Sequence, residues 1–67
     1  MSTAIDQIVR SYVKLGNRVA LEKMRDHRRR LLQEARMRAD SGYNPEVSMS
    51  ALEQDIEAID GGLSRLE

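Results

Sequence analysis

The sequence predicts an all-α protein, an antiparallel helical hairpin with a long first helix and a shorter second one. Three observations carry this. Good helix formers dominate a chain of 67 residues in which charged residues make up 33% and aromatics only 3%. A single strong break, Asp40-Ser41-Gly42-Tyr43-Asn44-Pro45, divides two helical stretches; glycine after a basic last turn is a helix C-cap signal, and proline just beyond cannot continue the helix. The stretch after the break then carries an aliphatic heptad.

The first helix is expected over about residues 4–39 of a single domain spanning 1–67. Thr3, three residues ahead of Asp6, supplies a start signal. At the 3.6-residue period, Ile5, Ile8, Val9, Tyr12, Leu15 and Val19 form one stripe, with Val13 beside it. Ala20, Met24, His27, Leu31 and Ala35 form a second stripe, rotated by roughly a quarter turn. The change of face falls at Lys14-Leu15-Gly16-Asn17. The reading taken is a continuous helix, since an isolated glycine is tolerated inside one. The alternative is a break near Gly16-Asn17 and a three-helix bundle.

A loop over 40–49 leads to the second helix at about 50–66. Ser50-Ala51-Leu52-Glu53 reads as a capping box. A rival start lies at Asn44, with Pro45 as the first helical residue. Leu52, Ile56, Ile59, Leu63 and Leu66 are spaced four, three, four and three, a seam for a neighbouring helix. Gly61-Gly62 interrupts it, and either lets the last turn fray or permits a close helix crossing. The seam is expected to meet Met24, Leu31 and Ala35 of the first helix, with His27 at its edge held by a carboxylate of the second.

Lengths then point to a partner. At 1.5 Å per residue the first helix is about 54 Å long and the second about 26 Å. The shorter rod ends near Ala20. Ile5, Ile8, Val9, Tyr12, Val13, Leu15 and Val19 are left for an interface, most simply with a second copy in a homodimeric four-helix bundle. In the alternative, residues 3–15 fold back as a third helix and cover the stripe within the chain.

The basic residues Arg10, Lys14, Arg18, Arg25, Arg28, Arg29 and Arg36 share one side of the long helix at the helical period. Acid-first pairs four apart, Asp6–Arg10, Asp26–Arg30 and Glu34–Arg38, favour a solvated face with local ion pairs. Residues 1–40 hold ten basic and five acidic side chains, a net of +5, and residues 41–67 one basic and six acidic, a net of −5. Two helices of opposite sign attract. Overall net charge is zero, and no aromatics interleave the arginines, so a dedicated nucleic-acid binder is disfavoured.

Other chemistries lack their residues. With no cysteine there is no disulfide, thiolate metal site or cysteine nucleophile, and one histidine makes no familiar zinc site. Glu53, Asp55, Glu57 and Asp60 read as a solvated face, without the glycine-centred spacing of a calcium loop. Gly61-Gly62 lacks the strand and lysine of a phosphate loop. No catalytic set, cofactor, metal or small-molecule substrate is expected. Met1, Met24, Met37 and Met49 read as gap fillers, and Tyr43 as a cover for the hairpin end. No apolar run reaches the roughly 20 residues of a membrane span, and the opening residues lack a secretory pattern, so a cytoplasmic protein is expected.

In size, with a longer first helix and a heptad-bearing second, the layout resembles the short hairpin co-chaperones of type III secretion needle subunits. The resemblance covers length and pattern and no residue motif, and it implies an interaction module that holds another protein. The functional expectation is a non-enzymatic protein–protein interaction module: an adaptor, small chaperone or regulator. The alternative is a small nucleic-acid-associated regulator using the arginine face.

Overall fold

The computed structural model describes residues 4–39 and 46–66. Three helices and no strands occur among the described residues: α1 (Ala4–Leu15), α2 (Arg18–Ala39) and α3 (Glu46–Arg65). The all-α expectation holds, and the helix count is three rather than two. None of these helices is long and apolar enough to cross a membrane.

The first correction concerns residues 16 and 17. The expected continuous helix is broken there, and the break is built from three local devices. Gly16 has φ +66°, the left-handed region that glycine enters without a side-chain clash. The Asn17 amide donates to the Tyr12 carbonyl at 2.9 Å and the Gly16 amide to the Val13 carbonyl at 3.0 Å. This pair of bonds is the Schellman motif, which satisfies the last carbonyls of α1. Asn17 then caps α2: its Oδ1 accepts the Ala20 amide at 3.1 Å. An isolated glycine is tolerated in a helix, but glycine followed by asparagine supplies a stop and a start in consecutive residues.

The second correction follows from the first. Freed at Gly16, α1 folds back on its own chain. Val9, Leu21, Ile59 and Leu63 form the buried cluster, drawn from all three helices, and Ile5, Tyr12, Val13, Met24 and Leu66 pack around it. The alternative in which residues 3–15 fold back therefore describes the chain, and the length mismatch between two rods does not arise.

The heptad of α3 is the best-read element. Ile59 and Leu63 are buried, and Leu52, Ile56 and Leu66 are half-buried. Its start is earlier than the capping box implied, at Glu46, which agrees with the rival start. Asn44, Pro45, Tyr43 and Thr3 lie outside the described residues. Gly61 and Gly62 do not end the helix, which continues to Arg65. A Cβ on Gly62 would collide with Cγ1 of Val9 and meet Cγ2 of Val13 at 3.3 Å. Of the two readings of the glycine pair, close helix crossing is the one observed, and it is α1 that crosses.

Along α2 the buried face is turned from the expected one. Leu21 and Leu32 are buried, whereas Leu31 and His27 are exposed. Leu21, Arg28, Leu32 and Ala35 trace the inner line, with Met24 on its flank.

Candidate functional site

Two surfaces are left once the core is assigned: an apolar edge around the α1–α2 turn, and the basic side of α2.

The apolar edge holds part of the expected interface stripe. Val9 is buried, and Ile5, Tyr12 and Val13 are half-buried against the cluster, so these four serve the chain's own core. Ile8 (43% exposed), Leu15 (75%) and Val19 (61%) are not covered. Ile8 and Leu15 are seven apart and share one edge of α1. Leu15 ends α1 and Val19 is the second residue of α2, so the two apolar side chains flank the turn. Leu31 and Met37 are also exposed, farther along α2. Single exposed aliphatics are ordinary on protein surfaces. Large ones bracketing a two-residue turn are less so.

The basic side is partly used for internal cohesion. The Arg28 Nε donates to Asp55 Oδ2 at 3.2 Å, with the two side chains 24% and 32% exposed. This pair ties α2 to α3 beside the aliphatic seam. Arg36 Nη2 lies 3.9 Å from Glu53 Oε1 across the same two helices, in a far more exposed position. Arg25 engages its neighbour Asp26 through Nε and Nη2, both at 3.2 Å, in place of the expected Asp26–Arg30 pair. Arg18 also has an interaction within the chain. Arg29 is exposed on α2, and Arg10 and Lys14 are exposed on α1, beyond the break. The seven residues expected on one side of one rod are thus divided between two helices.

The charge division seen in the sequence has a structural outlet here. The basic α2 and acidic α3 lie side by side, and two cross-helix pairs form among their charges. Exposed pairs contribute at most about 1 kcal/mol each. The Arg28–Asp55 pair is more consequential because loss of one partner leaves the other half-buried without it.

Sequence reasoning missed Leu21, Leu32 and the identity of the helix that crosses at Gly62. A signal for the first two existed: Leu21, Arg25, Arg28, Leu32 and Ala35 are spaced four, three, four and three. Two arginines inside that heptad hid it from a search for apolar residues. The long aliphatic stem of arginine permits such placement, with the charged head reaching an acid at the edge. His27 carried no seam role after all. Among the described residues, no group of three or more His, Cys, Asp and Glu could hold a metal ion.

Fold and surfaces together define a small three-helix domain with an aliphatic core and a strongly charged exterior. No protein-family model, no curated protein and no solved structure matches the chain. The hairpin layout that resembled needle-subunit co-chaperones is also not the arrangement found, since α1 and α2 are separate helices.

Proposed function

We propose that this domain is a non-enzymatic protein–protein interaction module, an adaptor, small chaperone or regulator that presents a helical edge to another protein. The observation that carries the reading is the exposure of Leu15 and Val19 on either side of the α1–α2 turn, with Ile8 along the same edge. Burial of a large aliphatic side chain contributes about 1.5–3 kcal/mol, so such residues supply most of what a small helical interface needs. Arg10 and Lys14, exposed on α1, add positive charge to the same helix, which favours a partner with acidic residues around an apolar centre.

The absence of catalysis belongs to the same reading. All the buried side chains among the described residues are aliphatic: Val9, Leu21, Leu32, Ile59 and Leu63. A catalytic group needs a desolvated, preorganised setting to change its reactivity, and the core offers no polar side chain in one. Against the phosphate-binding alternative, Arg25, Arg28 and Arg36 already meet carboxylates.

Affinity capture with the wild-type chain and with Leu15→Lys/Val19→Lys tests the reading. Both positions are exposed, so the double variant should melt like the wild type. A protein retained by the wild type, lost by the variant and bound directly when purified supports the proposal. Identical captures from the two chains overturn it.

A further inference from the structure

The exposed Ile8, Leu15 and Val19, with the half-buried Tyr12 between them, fall into one continuous pattern only if the chain is straightened. Ile8, Tyr12, Leu15 and Val19 are spaced four, three and four. That is a heptad seam on one unbroken helix. In the compact chain the turn at Gly16 splits it, and Ile8, Leu15 and Val19 face solvent. The turn itself is short: Gly16 and Asn17 are the only residues between α1 and α2. Exchange of an identical element between copies is a low-cost route to dimers.

We propose that a second copy of this chain is a partner of the domain, and that the two copies exchange α1. In the exchanged dimer, Gly16 and Asn17 become helical and residues 4–39 form one rod. Each α1 seats its Val9 over Gly62 of the partner, in the cradle that holds it within one chain in the compact form. That cradle is the argument for the occupant. It has no room for a Cβ at position 62, and it is shaped for a valine-bearing helix that every copy already carries. The contacts of Val9, Ile5, Tyr12 and Val13 are conserved in number on exchange, so they neither favour nor oppose it. The new contribution is the seam: around a two-fold axis near the hinges, the exposed Ile8, Leu15 and Val19 of the two rods cover one another. The inference rests on the proposed interaction reading and names one partner within it.

The hinge gives the test. Gly16→Ala places a Cβ in the left-handed region, where the compact form needs it least, and improves the helix that the exchanged form needs. Each hinge then favours the rod by about thirtyfold, and a dimer has two, so dimerisation should tighten by roughly 1000-fold. Sedimentation equilibrium from 1 to about 500 µM reads the constant. The geometry is read by spin labels on Ala4→Cys and Met37→Cys, since the chain has no cysteine of its own. Their separation in a continuous helix is about 50 Å, against a longest dimension of 42 Å for the compact chain. Labelled chains are diluted with unlabelled ones so that only intrachain distances register.

The expected result is a Gly16→Ala dimer with the long intrachain distance, reversed to monomer by adding Leu15→Lys. A helical Gly16→Ala chain that stays monomeric overturns the proposal, as does a dimer that keeps the short distance or one indifferent to Leu15→Lys. If Gly16→Ala loses helicity, the wild-type chain at about 1 mM is read instead, and a monomer there overturns it too. Failure on any of these leaves capture of a different protein by the same edge to be judged by its own experiment.

Discussion

Gly61 and Gly62 are adjacent in α3, yet alanine at the two positions should act in opposite directions. A Cβ at Gly61 meets nothing within 4 Å. Gly61→Ala therefore gains helix propensity, about 1 kcal/mol, at no steric cost. At Gly62 the same propensity gain is opposed by a collision with Val9 Cγ1 and a tight approach of 3.3 Å to Val13 Cγ2. Valine in a helix is nearly confined to one rotamer, so Val9 cannot swing aside and α1 itself must lift. Overpacking of this kind costs about 1–3 kcal/mol. Propensity cancels between the two variants, which leaves Gly62→Ala less stable than Gly61→Ala by about 1–3 kcal/mol. For a domain this small, each kcal/mol moves the melting midpoint by roughly 4–8 °C. Thermal unfolding followed by circular dichroism should separate the pair by about 4 °C or more. The penalty should also shrink sharply when Val9→Ala is already present, because the colliding methyl is gone and only the approach to Val13 remains. Equal or higher stability of Gly62→Ala would refute the close crossing of α1 over α3.

Other expectations follow from the same packing. Leu21→Ala should cost about 2–5 kcal/mol and leave the chain largely unfolded, whereas Leu31→Ala, on the exposed flank, should cost under about 1 kcal/mol; chemical denaturation of the pair reports the register of α2. Asn17→Ala removes the cap that accepts the Ala20 amide and should destabilise by about 0.5–2 kcal/mol, read in the same way. A double-mutant cycle on Arg28→Ala and Asp55→Ala should return a coupling of about 1 kcal/mol that shrinks in high salt, while Arg36 and Glu53, more exposed and 3.9 Å apart, should show almost none. In a gel-shift titration at about 50 mM salt, where phosphate contacts are strongest, duplex DNA should not be retained at micromolar chain.

The legible parts of the fold were those where one chemical signal acted alone. In α3 the large aliphatic residues from Leu52 to Leu66 fall at heptad spacing with no arginine among the seam positions, and they lie where the pattern places them. The break at Gly16 was visible as a change of stripe, but the outcome turned on tertiary energy. A continuous helix wets Val9 and Val13, and a turn buries Val9 and half-buries Val13 against the core, which composition alone does not weigh. The inner face of α2 was misread because Arg25 and Arg28 occupy heptad positions between Leu21 and Leu32. Polar heads with long apolar stems defeat a search for apolar stripes. The candidate surface was half legible. Ile8, Leu15 and Val19 remained outside the core, while Val9, Ile5, Tyr12 and Val13 from the same stripe were absorbed by it.

Everything turns on where the apolar side of α1 rests when the chain is alone. Isotope-filtered nuclear Overhauser spectroscopy on a dilute mixture of labelled and unlabelled chains addresses this directly. The packing described requires intrachain cross-peaks between the Val9 methyls and the Gly62 α-protons at low micromolar concentration. A monomer without those cross-peaks, its Val9 methyls free in solvent, would contradict it.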